Sequence, residues 1–229
     1  METAALCRTP LFRGTSPQEA EEMLACLGAE RRSFIKGERI YRAGDTVTAL
    51  GVVLQGSVLI ESSDLWGNTS VLDSVGPGQI FAETYACCPG EPLMVDVTAA
   101  EAAEVLFLRM ERILQVCPNS CAHHSRLIRN LLTLSSQKNL TLSRKIFYTS
   151  PKTIRERLLS YLSSQALRSG SRSFTIPFNR QQLADYLNVD RSALSNELSK
   201  MQRDGLLKVD KNRFELYGAR SAPVGAYRA

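Results

Sequence analysis

The stretch RQQLADYLNVDRSALSNELSKMQ, from Arg180 to Gln202, holds the side chains best suited to reading another molecule. It scans as two short helices separated only by Asn188-Val189-Asp190. A chain that breaks a helix and restarts it at once, at a steep angle, sets the second helix out from the surface, where it fits the major groove of B-form DNA. The exposed positions of that second helix are Arg191, Ser192, Ser195 and Asn196, with Lys200 further along. Arginine grips a guanine edge through two hydrogen bonds, asparagine pairs with adenine, and serine reaches either a base or a phosphate. Arg180, at the start of the first helix, and Lys211, beyond the second, are placed to meet phosphates, which give affinity without sequence choice. The competing reading is a plain three-helix packing unit with a solvated Arg/Ser face.

A second cluster lies in CPNSCAHH. Cys117, Cys121 and His124 follow one another at spacings of four and three, so one side of a helix start presents all three. Thiolate and imidazole suit zinc or copper, and a helix N-terminus acidifies a thiol. Cys87-Cys88 would add a ligand if their loop folded over. Three ligands without an assured fourth make a weak motif, so core cysteines beside surface histidines are the preferred reading. No cofactor is named by any motif. The chain has no glycine-rich phosphate loop and no nucleophile elbow, and Cys117 with His124 is the only nucleophile–base pair that spacing suggests. The chain is therefore expected not to be an enzyme.

The elements that must position these residues fall into three zones. The chain has 229 residues, enough for one large or two modest domains, with a net charge of +5. Residues 1–149 carry 14 Lys/Arg against 16 Asp/Glu, whereas residues 150–229 carry 14 against 7, so the positive charge belongs to the C-terminal third. A basic third behind a nearly neutral body points to a polyanion partner for that third alone. The sequence shows no run of about 18 apolar residues, so no membrane partner is expected. It shows no secretory signal, and its six cysteines are scattered, so a reducing cytoplasm is expected.

SPQEAEEMLACLG opens with a helix capped by Ser16, with Pro17 at its first position and Glu19 completing a capping box. From Ser33 to Leu108 come short β-rich runs parted by turns such as Lys36-Gly37, Gly56, Trp66-Gly67-Asn68 and Gly76-Pro77-Gly78, the pattern of a small antiparallel barrel or roll. GQIFAETYACCPGEP interrupts it as a short helix and loop. From Pro118 to about Lys145, roughly 28 residues, there is no glycine and no further proline, which predicts one long helix. Leu127, Leu131, Leu134 and Lys138 recur at 4-3-4 spacing, which predicts a coiled-coil seam between two subunits in preference to a core helix within one chain. The next helix is predicted to start with Ser150 as its cap and to end at Gly170, with Thr149-Ser150 as a hinge. SFTIPF gives a strand, Asn179 caps a helix, Asp190 caps the following one, and LLKV-DKN-RFEL makes a hairpin or wing.

The order of these elements resembles the Crp/Fnr family of bacterial transcription regulators. The residues carrying the resemblance are KGERIYRAGD, VVLQGSVLI, GPGQIFAE and, most specifically, RQQLADYLNVDRSALSNELSKMQRDGLL. The resemblance implies an α+β chain. An N-terminal double-stranded β-roll of cupin-like jelly-roll type would occupy residues 1–117, a long dimerisation helix 118–148, and a C-terminal winged helix-turn-helix 149–229. It implies a homodimer on a palindromic operator in double-stranded DNA, control by a small-molecule effector in the roll, and contact with RNA polymerase. Members that bind cyclic nucleotides carry Phe-Gly-Glu and then an Arg-Ser pair that grips the cyclic phosphate. Here those positions read Phe81-Ala82-Glu83 and Leu93-Met94, which become the effector-site candidates. A phosphate buried without a cation is strongly disfavoured, so the effector is expected not to be cAMP and is otherwise unknown. Ser192 and Asn196 stand where relatives that read the common operators carry Glu and Arg, so the operator is expected to differ. Two alternatives stay open: a metal- or redox-sensing regulator using Cys117, Cys121 and His124, or a ligand-binding module without DNA function.

Overall fold

A computed structural model describes residues 3–64, 66, 69–114 and 122–217. They form two compact units, one ending at Lys138 and the other beginning at Asn139. In chain order the first carries α1 (Thr3–Leu6), α2 (Pro17–Cys26), β1 (Glu30–Phe34), β2 (Arg39–Tyr41), β3 (Ala49–Gln55), β4 (Val58–Ser63), β5 (Thr69–Val75), β6 (Ile80–Phe81), α3 (Glu83–Cys87), β7 (Asp96–Ala99), β8 (Ala103–Arg109), α4 (Met110–Leu114) and the start of α5 (Ala122–Thr149). The second carries the end of α5, then α6 (Ile154–Ser169), β9 (Ser173–Thr175), α7 (Arg180–Leu187), α8 (Arg191–Arg203), β10 (Leu207–Asp210) and β11 (Arg213–Leu216).

The first unit is a roll of two four-stranded antiparallel sheets, ordered β1-β8-β3-β6 and β2-β7-β4-β5. The strands β3 and β8 are buried on both faces, which is why ALGVVLQ and AEVLFLR read as nearly unbroken apolar runs rather than alternating ones. Val53, Val105 and Phe107 point into a core with Phe34, Phe81 and Val97, between the sheets. Leu50, Val52, Leu106 and Leu108 point the other way, against Leu11, Phe12, Met23 and Leu27 of the N-terminal segment and against α5. Ser16 and Glu19 form the expected capping box on α2.

Here the seam expected along Leu127, Leu131 and Leu134 is corrected. Leu127 and Leu131 are buried and Leu134 is half-buried, all packed in the roll's own second core. Each fully buried leucine contributes roughly 1.5–3 kcal/mol, so this stripe is committed within the chain. The opposite side of α5 is apolar as well: Leu132, Leu140 and Phe147 are exposed by 65%, 53% and 65%. The helix runs on to Thr149, and Ser150 Oγ closes its last turn on the Ile146 carbonyl at 2.7 Å. Ser150 is therefore not the cap of α6. Thr153 is, in a reciprocal capping box with Glu156, and Gly170 ends that helix in the left-handed region at φ 64°. The predicted start of the long helix at Pro118, and the turn residues Gly67 and Asn68, lie outside the described residues.

In the second unit, β9, β10 and β11 form a three-stranded antiparallel sheet in the order β10-β11-β9 behind the helices. Its core is Leu158, Tyr161, Leu162, Leu183, Leu187, Leu194, Leu198, Met201 and Phe214. Among the described residues no helix is long and apolar enough to cross a membrane.

One glycine of the roll is required by a neighbour. Gly51, in β3, faces the tip of the Phe81 ring, and a Cβ there would lie only 2.2 Å from Phe81 Cζ. Gly51→Ala is expected to push Phe81 aside and destabilise the roll by about 1–3 kcal/mol, the usual cost of overpacking. Chemical denaturation checks it, with unchanged stability as the contrary result.

Candidate functional site

Two places gather polar groups with a possible role. The first is the pair α7–α8. Asn179 accepts a hydrogen bond from Gln182 N at 2.9 Å and caps α7, and Asn188 ends it in the left-handed region at φ 54°. Two residues later Asp190 accepts from Ala193 N at 2.8 Å and starts α8. Hydrogen bonds from the Ser192 hydroxyl and from the Ala193 backbone hold the Asp190 carboxyl below the usual range, so the cap stays ionised.

The turn is fixed from beneath. Arg157, on α6, donates to the Leu187 carbonyl at 3.1 Å and the Asn188 carbonyl at 3.0 Å, occupying groups that the end of α7 leaves open. Arg155 bonds Glu197 at 2.5 Å and Asp204 at 2.7 Å, tying α6 to the inner flank and the end of α8. Those hydrogen bonds, Glu197 first, raise the Arg155 pKa further above its ordinary value. The charges of α8 that could have opposed a polyanion are thus partly engaged, and the outer face is left with Arg191, Ser192, Asn196, Ser199, Lys200 and Arg203 exposed and Ser195 half-buried. Lys200 lies 3.8 Å from Glu197, a loose pair.

Arg180 is half-buried, its guanidinium 5.5 Å from the centre of the Phe214 ring, and burial draws its pKa down. It is therefore part of the unit's packing as well as a surface cation. Lys211 stands at the tip of the β10–β11 hairpin in the left-handed region, φ 52°. Asn212 beside it donates to the Ile176 carbonyl at 3.1 Å and fixes the tip.

The second place is a cleft of about 200 Å³ in the roll. Ile60, Val75, Phe81, Leu93, Val95 and Val97 give it apolar walls. Glu83 is buried among them, and its carboxylate takes a hydrogen bond from Lys138 Nζ at 2.7 Å. The same ammonium donates to the Ile80 carbonyl at 2.9 Å. Asp73 and Tyr85 also reach the cleft. Leu93 is buried in its wall, while Met94 is 77% exposed and does not line it; the Met94 N–H donates to the Tyr85 hydroxyl at 3.4 Å. The structure thus brings Phe81, Glu83 and Leu93 together and leaves Met94 outside.

Of the sulfur–imidazole cluster, Cys117 and Cys121 lie outside the described residues. His124 is buried, and the neighbouring His123 has its Nδ1 3.2 Å from Glu19 Oε1. Among the described residues no three His, Cys, Asp or Glu side chains converge as a metal site. Cys87 and Cys88 are exposed, and burial of its sulfur raises the Cys87 pKa, with Cys88 and Glu83 adding to the effect.

Comparison with known proteins meets this geometry on both units. Residues 31–120 match the cyclic nucleotide-binding domain and residues 156–217 match the Crp-like helix-turn-helix domain, together well over half of the chain. The chain belongs to the Crp/Fnr family. It is 26% identical over 210 residues to the cyclic AMP receptor protein of Thermus thermophilus, covering 91% of this chain and 92% of that one. To the transcriptional activator protein FnrA of Stutzerimonas stutzeri it is 22% identical over 185 residues, covering 78% and 73%. The crystal structure of the Thermus thermophilus catabolite activator protein matches 91% of this chain and 94% of its own, with a TM-score of 0.52 and 26% identity. This Crp/Fnr-type transcription regulator is thus built from a cyclic-nucleotide-binding-type roll, a long helix and a DNA-binding helix-turn-helix domain.

Several residues escaped the sequence reading of this regulator. Ser199 and Arg203 continue the exposed face of α8 at four-residue steps, a signal that was there to be followed. Lys138 closes the apolar stripe and turns out to meet the buried carboxylate of Glu83. Arg155, Arg157 and Asp73 gave no local signal.

Ala82 links Phe81 to Glu83 in the left-handed region, φ 59° and ψ 8°, where the cyclic-nucleotide-binding pattern carries glycine. An L-residue there costs roughly 1–2 kcal/mol. Ala82→Gly is expected to relieve that strain and raise stability by up to about 1 kcal/mol, net of glycine's extra chain entropy. Thermal unfolding checks it, and a clear loss of stability is the contrary result.

Proposed function

We propose that the protein acts as a homodimer, reads a palindromic operator through α8, and changes its hold on that operator with a small molecule received in the roll's cleft. The observation carrying the reading is α8 itself. It is capped by Asp190 and braced from beneath by Arg155, and its outer face keeps Arg191, Ser192, Ser195, Asn196 and Lys200 for base edges and phosphates. Work on chromosomal DNA in the cytoplasm and contact with RNA polymerase accompany that reading.

Dimerisation is assigned to the outward side of α5. Leu132, Ser136, Leu140, Ser143 and Phe147 recur at spacings of 4-4-3-4 and all are exposed. Such a strip fits a two-stranded seam, with serines allowing close approach. Leu140→Glu with Phe147→Glu is expected to give monomers in sedimentation at micromolar concentration, because a seam does not bury unpaired charge. A dimer surviving both changes contradicts the assignment.

The effector is read as something other than cAMP. Among the described residues no arginine lines the cleft and its one cation is held by Glu83, and buried Leu93 stands where a phosphate-gripping residue is needed.

Arg191 and Arg180 are expected to differ in kind. Arg191→Ala should cost about 1–3 kcal/mol per half-site on the operator and relax preference at one base pair. Arg180→Ala should weaken binding to all sequences alike and make the salt dependence shallower by about one unit, with some loss of fold stability from the lost Phe214 contact. Titrations of each variant against operator and scrambled DNA at several salt concentrations check both. Equal losses for Arg191→Ala on the two DNAs contradict its base-reading role, and no loss from either variant contradicts the placing of these residues at the DNA.

A further inference from the structure

The walls of the cleft bear on the chemistry of what enters it, an inference that rests on the reading above that the cleft receives the effector. Its volume is about 200 Å³. An apolar cavity of about 150 Å³ accommodates benzene, so the cleft has room for one ring or a short branched chain with a small polar arm. Among the described residues, the charged side chains reaching it are Asp73, Glu83 and Lys138, two carboxylates against one ammonium.

The partners of the ion pair are unequal. The Glu83 side chain is 5% exposed and sits at the first position of α3, whereas the Lys138 side chain is 47% exposed at the end of a flexible stem. A ligand that draws Lys138 away through an anionic head leaves the buried Glu83 carboxylate uncompensated, which is strongly unfavourable. That head also meets Asp73. A ligand bearing an ammonium does the reverse. It takes Lys138's place, and the lysine, already half in water, extends fully into it and keeps its charge hydrated. The incoming N–H groups find the same two acceptors, Glu83 Oε1 and the Ile80 carbonyl, that Lys138 now uses at 2.7 and 2.9 Å.

We propose that the cleft selects a small primary amine, with an apolar body of about one ring seated against Phe81, Leu93 and Val97 and a protonated nitrogen that displaces Lys138 from Glu83. The exchange keeps the buried carboxylate neutralised throughout. It also releases α5 at Lys138 from the cleft wall, which makes ligand binding readable along that helix.

The test uses two probes of matched shape, 2-phenylethylamine and phenylacetate, titrated calorimetrically at pH 7 into the full-length protein, into Lys138→Met and into Glu83→Gln. The amine is expected to bind wild-type protein at least about tenfold more tightly than the carboxylate. Lys138→Met should tighten the amine further by removing its internal competitor, and Glu83→Gln should erase the preference. The wild-type comparison stands even if a variant fails to fold. Phenylacetate binding as tightly as the amine, or more tightly, overturns the proposal while leaving the cleft as a ligand site. Saturable binding of neither probe, to wild-type protein or to Lys138→Met, overturns the proposal together with the effector-cleft reading.

Discussion

A carboxylate walled in by apolar side chains must be neutralised, and in this protein Glu83 is neutralised by Lys138 at 2.7 Å. Much of the roll's construction follows from that contact. Lys138 lies on α5, so the rotation of the helix about its axis is set: the side with Leu127 and Leu131 must lie on the roll, and the opposite side, with Leu132, Leu140 and Phe147, is left outward. Glu83 must point into the cleft, so the chain turns sharply at Ala82, in a conformation that L-residues seldom adopt. That turn aims Phe81 between the sheets, where its ring meets Tyr41 and Phe107 edge-on at centroid distances of 6.2 and 6.4 Å. Phe81 in turn leaves no room for a side chain at Gly51. One buried charge therefore coordinates a helix, a turn, an aromatic cluster and a glycine.

The second unit solves a different problem. A helix that is to enter a DNA groove must be held without using its outer face. The supports of α8 all come from its ends and its inner side: Asp190 at its start, Arg155 on Glu197 and Asp204, and Leu194, Leu198 and Met201 in the core. Gln202 accepts a hydrogen bond from Val209 N at 3.0 Å, which fixes the first strand of the hairpin to the end of α8. Arg157 satisfies the carbonyls that a very short turn exposes. With the backbone satisfied from beneath, Arg191, Ser192, Asn196 and Lys200 stay exposed.

Much of this was legible in the sequence, and the reasons for the rest are physical. Caps at Ser16, Asn179 and Asp190, the strand-rich roll, the short helix at Glu83 and the C-terminal hairpin follow from local chemistry, where a side chain bonds its own neighbours. The cap of α6 is Thr153 and not the expected Ser150, because Thr153 has a glutamate three residues on and Ser150 instead back-bonds the end of α5. The stripe Leu127-Leu131-Leu134 was visible but not its partner, because periodicity reports that a face is apolar and not what covers it. In the cleft, Phe81, Glu83 and Leu93 were legible through their order along the chain. Asp73 and Lys138 arrive from distant strands and helices, and Met94 sits exposed in a bend beside the cleft wall, a local geometry that no spacing announces.

On the reading proposed above, two copies of α8 in a symmetric dimer enter successive turns of one DNA groove. Selection of bound sequences from a random duplex library by the full-length protein tests that claim most directly. The account predicts enrichment of an inverted repeat whose half-site centres lie about one helical turn apart, roughly 34–36 Å or 10–10.5 base pairs. Enrichment of sequences without an inverted repeat, or no enrichment over the starting library, would contradict it.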